Sequence, residues 1–402
     1  MYEINFPQHW KIARLGEVTE IVKGGTPSRN VDEYFQGDIA WAIPSDITAL
    51  DPALYIHDTA SHISEKGLNK SAAKLLPSGT VLLTSRATIG ETAIPTIPMA
   101  TNQGFANFIC NDEILNVYLA YYLRHIKNKL NVLASGSTFK EVTKGTLVNV
   151  EIPLPPFPEQ HAIANILQTI QEAKFTRQRE IALEREHKAA LMDYLFSHGT
   201  KDEPRKQTEV GEIPESWKMT KLGDLVKLKS GDSRPKDLES NPNAKQPIPV
   251  YGGNGILGYT SKKFSDKRHL VIGRVGAYCG CVHIAESPNW ITDNALYSEK
   301  WFSSEVSLDF LAEQLGHFNL NRFQRRGGQP LVTQSILHQL NIPLPPLLEQ
   351  NIIANIFQAI DDKIAALERE VELTDELFHA MLEELMTGKR SAVPMIDAEM
   401  HI

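Results

Sequence analysis

Apolar positions along residues 360–385 fall at Ile360, Ile364, Leu367, Val371, Thr374, Phe378, Met381 and Leu385, in alternating steps of 4 and 3. That heptad spacing, Thr374 included as a seam position, predicts a long helix with one seam. Gly388 marks its end. An earlier stretch carries Ile163, Ile166, Leu167, Ile170, Ile181, Leu191 and Leu195, but Lys174, Arg177, Glu184 and Lys188 occupy equivalent seam positions. It predicts a second long helix, either irregular in its middle or with polar residues meeting acidic partners on the other helix. At roughly 38 residues, each helix would be about 57 Å long. Elsewhere, short apolar runs at 80–84 and 269–273 read as strands among Gly, Pro, Asn and Ser clusters. Residues 119–130 and 310–320 read as short helices.

These patterns occur twice. Ile152-Pro153-Leu154-Pro155-Pro156 returns as Ile342-Pro343-Leu344-Pro345-Pro346, and 11 of 15 positions from Ile152 are identical at an offset of 190. The match takes in Glu159-Gln160 with Glu349-Gln350. Pro7-Gln8-His9-Trp10-Lys11 similarly resembles Pro214-Glu215-Ser216-Trp217-Lys218 at an offset of 207. Inside the copies the matches are weaker: Arg86 with Arg274, and Thr101-Asn102-Gln103 with Thr292-Asp293-Asn294. Shared edges with divergent middles imply one scaffold carrying two different surfaces. The boundaries read as 1–155 and 214–345 for two mixed domains, 156–199 and 346–390 for the helices, 200–213 for an exposed linker and 391–402 for a loose tail. The fold class is α+β.

Composition narrows the setting. The chain has 402 residues, too many for one ordinary core, and a net charge of −8. The excess lies in residues 349–402, with 4 basic and 12 acidic side chains. The mixed domains are near neutral, so a local basic face is compatible with the count. Three cysteines fit a reducing, cytoplasmic setting. No apolar run approaches the ~20 residues that cross a bilayer, and the first residues do not read as a signal peptide.

Two motifs point toward chemistry and then away from it. Gly253-Asn254-Gly255-Ile256-Leu257-Gly258 fits a nucleotide-loop pattern, but no helical period follows it. A tight turn or a loop near DNA is favoured. Cys279-Gly280-Cys281-Val282-His283 alternates three metal-ligand types, yet its spacing is not that of zinc sites, which favours a buried strand face. Phosphate-loop, His-Glu-x-x-His and Asn-Pro-Pro-Tyr/Phe motifs are absent from the sequence.

Two divergent domains, each closing on Ile-Pro-Leu-Pro-Pro and Glu-Gln before a long helix, resemble the specificity subunits of Type I restriction–modification enzymes. The restart at Gly211-Glu212-Ile213-Pro214 and the end at Leu385-Met386-Thr387-Gly388-Lys389 add to that resemblance. It implies two target recognition domains, each reading half of a bipartite, usually asymmetric site in double-stranded DNA. It also implies that the long helices pack antiparallel and hold the domains apart. Two modification subunits and the restriction subunits would be the partners, bringing S-adenosylmethionine, ATP and magnesium; this chain would hold no cofactor or metal and perform no catalysis. Rival readings are a specificity-type subunit of another defence or modification system, and a standalone enzyme using the glycine-rich loop.

Candidate DNA contacts are residue types that reach phosphates or base edges. They are Arg86, Asn102, Gln103, Ser137, Thr138 and Lys140 in the first copy, and Tyr251, Asn254, Arg274, Asn294, Arg325, Arg326 and Gln329 in the second. Thr138 has an alternative reading as a helix cap paired with Glu141. Asn102, Gln103 and Asn294 equally suit turn capping, and Arg86 and Arg274, which follow strands, equally suit pairing within the protein.

Overall fold

The computed structural model describes residues 6–50, 53–135, 140–323 and 330–394. They form two units: one joins residues up to 180 with those from 367 onward, the other spans 181–366.

In the first unit, strands β1 (Lys11–Arg14), β2 (Thr19–Lys23), β3 (Ile39–Ala42), β4 (Tyr55–Ile56), β5 (His62–Ile63), β6 (Val81–Thr84), β7 (Thr92–Pro95), β8 (Ala100–Thr101), β9 (Phe105–Cys110) and β10 (Glu151–Leu154) build three sheets. The largest has the order β2-β9-β6-β7-β4. The continuous apolar run in β6 is buried on both faces, as expected of a central strand covered by helix Asn116–His125. The two shared edges meet as a small antiparallel sheet, β1 on β10, with Ile12 opposite Pro153.

The second unit repeats this plan with β11 (Arg205–Thr208), β12 (Gly211–Pro214), β13 (Lys218–Lys221), β14 (Val226–Ser230), β15 (Ile248–Gly252), β16 (Gly255–Thr260), β17 (His269–Gly273), β18 (Val282–Ala285), β19 (Trp290–Ile291), β20 (Ala295–Trp301) and β21 (Asn341–Leu344). Its main sheet has the order β14-β20-β17-β18, and β13 pairs with β21 as β1 does with β10. The stretch expected as an open linker contains the β11–β12 hairpin. β11 is polar and no more than half-buried, and only Ile213 and Pro214 of β12 are buried, so no apolar alternation reveals the hairpin in the sequence.

The long helices run over Phe157–His198 and Leu347–Met386, 42 and 40 residues without a break. Polar residues in the first seam meet charges on the other helix. In the first unit Lys174 pairs with Asp375, and Arg177 with Glu370 at 2.6 Å. In the second, Lys188 pairs with Asp361 at 2.7 Å and Glu184 with Lys363 at 2.5 Å. As numbers rise on one helix they fall on the other, so the pair is antiparallel within each unit. Phe378, Leu382, Leu385 and Met386 complete the first unit's core beside Ile163 and Leu167. Leu195 and Phe196 complete the second unit's core beside Ile353 and Phe357. Burying each such side chain contributes roughly 1.5–3 kcal/mol.

The repeated Glu-Gln pair fastens each mixed domain to its helix. Buried Glu159 accepts from the indole of Trp10 at 3.0 Å and contacts His9 at 2.9 Å. Gln160 accepts from the Leu115 amide and donates to the carbonyls of Glu113 and Pro155. Glu349 and Gln350 do the same work with Trp217, Thr200, Ser307, Glu305 and Pro345. Gly199 and Gly388 end the two helices at φ +69°, the left-handed turn that glycine adopts without strain.

Candidate nucleic-acid interface

Three strand ends define one end of the first unit's main sheet. Lys23 closes β2 opposite Ala106, and Thr84 closes β6 opposite Phe105. The Ser85 amide donates to Gly104 at 2.7 Å, and the Val142 amide donates back to Ser85 at 3.0 Å. This brings the loops around Arg86, Asn102, Gln103 and Lys140 together. Lys140 and Gln103 are exposed. Gln103 accepts a hydrogen bond from Thr26, whereas the Asn102 side chain caps its own turn by accepting from the Gly104 amide at 2.8 Å.

Arg86 donates through Nη2 to Glu141 at 2.6 Å, while Lys23 reaches the other oxygen of that carboxylate at 3.1 Å. Burial pushes the Glu141 pKa upward, but these bonds and charges prevail and hold it below the usual carboxylate range. Arg86 remains 40% exposed. Glu141 lies in a bridge and opens no helix; the next described helix begins at Lys144 and is capped by Thr143. Ser137 and Thr138 lie outside the described residues.

The second unit has the same frame. Ser230 closes β14 opposite Leu296, and Gly273 closes β17 opposite Ala295. The Arg274 amide donates to Asn294 at 2.9 Å, and the Val332 amide donates to Arg274 at 3.0 Å. The turn Gly253-Asn254 joins β15 to β16 at this end: a side chain at Gly253 would lie 3.5 Å from Asn294 and Gly273. Asn254 and Asn294 are exposed, and Arg274 donates to Ser230 at 3.2 Å. Tyr251 is a correction. It is only 7% exposed, packs with Val271, Ile291 and Tyr297, and its hydroxyl accepts from the Glu286 amide; its aromatic ring completes a core. Arg325, Arg326 and Gln329 lie outside the described residues.

The ladders also correct the internal alignment by one residue. Ser85 and Arg274 occupy equivalent places, so Arg86 corresponds to Val275. Arg86 bridges Glu141 where Val275 bridges Leu331. Likewise Thr101 corresponds to Ile291: Thr101 accepts from the Gly25 amide just after β2, and Ile291 from the Asp232 amide just after β14. Short polar strings carry no ladder information, and a shift of one reverses the face that a side chain occupies. Lys23 and Glu141 were missed as site residues. The basic residue before Gly24-Gly25 was an available signal for Lys23.

The glycine-rich motif is a hairpin running into β16 rather than into a helix, with Gly255 at φ +88°. Cys279 lies in a turn, not on one strand with His283; its thiol donates to the Arg274 carbonyl. Gly280 at φ +89° separates it from β18. Among the described residues no three His, Cys, Asp or Glu side chains gather as metal ligands, and no helix is long and apolar enough to cross a membrane.

The model of the Type I restriction modification DNA specificity domain matches residues 7–185 and again 214–374. The type I restriction enzyme MjaIX specificity subunit of Methanocaldococcus jannaschii is 37% identical over 60% of this chain and 57% of its own length. This chain thus spans a little over half of that relative. The putative MjaX specificity subunit of the same organism is 27% identical over 95% of this chain and 94% of its own. The fold is similar to that of the S subunit of a Type I restriction–modification system from M. genitalium, with a TM-score of 0.64 at 16% identity, covering 96% and 97% of the two chains. With two family-model matches across most of its length, the chain belongs to the Type I restriction modification DNA specificity family.

Proposed function

We propose that each unit reads one half of a bipartite, asymmetric site in double-stranded DNA through the sheet end that gathers its candidate loops. The observation that carries this reading is one backbone frame with two unlike side-chain sets: Lys23, Arg86 and Glu141 in one unit, Ser230, Val275 and Leu331 in the other. Equal frames support equal tasks, and unequal side chains support unequal sequences.

On this reading the long helices carry two modification subunits, and restriction subunits join that assembly in the prokaryotic cytoplasm. S-adenosylmethionine, ATP and magnesium belong to those partners. Residues 214–345 are exchanged for the same segment of a relative, and methylated motifs are mapped in cells that also carry the modification subunit. One half-site changes and the other is kept. Alteration of both halves overturns the assignment of one half to each unit.

A further inference from the structure

We propose that Arg86 reads a guanine in the half-site of the first unit, positioned by Glu141, and that the second unit has no such reader at the matching place. This rests on the reading that the sheet end faces DNA.

Three observations carry it. First, the ion pair is not demanded by the fold. The second unit keeps the same backbone bonds with Val275 bridging Leu331 in place of the charged pair, so the frame forms without it. Second, Glu141 already has Lys23 as a cation partner, so Arg86 is not needed to neutralise it. Third, among the described residues the guanidinium of Arg86 has one hydrogen-bond partner, Glu141, and its buried Nε has none. Nε is shut away from a ligand, but the outer edge formed by Nη1 and Nη2 has no other partner among the described residues, and that edge matches the O6 and N7 acceptors of guanine. The carboxylate fixes the direction of the fork, and a fixed planar donor pair matches the two in-plane acceptors of a base edge, which makes guanine the assignment and a phosphate the competing outcome of the test.

The test uses the full chain with its modification subunit. Arg86→Ala, Arg86→Lys and Glu141→Gln are compared with the parent by methylated-motif mapping and by binding at several salt concentrations, with thermal melting as a check on folding. The first unit's half-site is the one that changes when residues 1–155 are exchanged. Expected for both Arg86 variants is relaxation of one guanine position there, with roughly 5- to 150-fold loss of discrimination. Glu141→Gln relaxes the same position to a smaller extent, which a merely structural role would not do. Relaxation at a base other than guanine overturns the proposal. Uniform weakening on all sequences, with the salt slope reduced by about one, makes Arg86 a phosphate contact; this overturns the guanine assignment and keeps the DNA-facing surface. Unchanged affinity and motif in folded Arg86→Ala overturns both.

Discussion

Trp10 and Glu159 are joined by a buried hydrogen bond of 3.0 Å across 149 positions of chain. Trp217 and Glu349 repeat the bond at 3.3 Å across 132. The motifs at the two edges of each repeat are therefore halves of one joint. Removing the carboxylate strands a buried indole N–H, so Glu159→Ala and Glu349→Ala each lower stability by about 2 kcal/mol. Urea unfolding followed by tryptophan fluorescence measures this; a change within error for both would remove the joint from the account.

Glycine at the helix ends is required by both conformation and space. At Gly388 a Cβ would lie 2.3 Å from Pro7, and at Gly199 it would lie 2.7 Å from Glu349. Alanine at either position is expected to cost about 2 kcal/mol, since the left-handed conformation alone costs roughly 1–2. Gly316 is the control. It lies within helix Leu308–His317 with nothing near its would-be Cβ, and Gly316→Ala should stabilise by about 0.5–1 kcal/mol. Thermal melting of the three variants gives the comparison.

Lys188 sits at a seam position but serves as a polar hub. It pairs with Asp361 and Glu313 and lies over the ring of Phe357 at 5.9 Å. Because Asp361 is 41% exposed, solvent screens the pair, and a double-mutant cycle of Lys188→Ala with Asp361→Ala should give a coupling near 0.5 kcal/mol. A coupling of zero would leave the packing of the lysine stem as its whole contribution.

Stability should rise with pH through the histidine range. Burial lowers the pKa of His125, His269 and His283 below the ordinary 6.5. The unfolded chain then binds protons that the folded chain refuses, so stability is lost as pH falls below about 6.5. Glu313, raised by burial from its ordinary 4.5, works in the opposite direction above that value, one group against three. Melting at pH 5.5 and 7.5 checks the sign, and His269→Gln should flatten the slope.

The helices were legible because their seam recurs every few residues. The joints were not: Glu159 and Trp10 are each ordinary in local context, and only the fold brings them together. In the candidate site, residue types were legible and register was not, so Arg86 was aligned with Arg274 when its place belongs to Val275. Tyr251 shows the converse limit, since an aromatic suited to DNA is equally suited to a core. The structure also changes how partner docking is tested. Deleting residues 346–402 removes Phe378, Leu385 and Met386 from one core and Ile353 and Phe357 from the other, so loss of docking would report misfolding. Exposed substitutions on the helices, such as Leu373→Ser and Leu377→Ser, leave those core residues in place; both leucines are more than half exposed.

The first unit draws part of its core from the last helix, and this reverses the usual order in which a nascent chain is finished. Everything up to Glu180 leaves the ribosome early, yet Phe378, Leu382, Leu385 and Met386 are still to be made. Residues 181–366 supply the whole second unit and emerge in between. At 5–20 residues per second that interval lasts roughly 10–40 s. The N-terminal part is thus synthesised first and closed last. During the wait, the surface around Tyr121, Ile163 and Leu167 lacks the apolar cover that Phe378, Leu382 and Leu385 later give it.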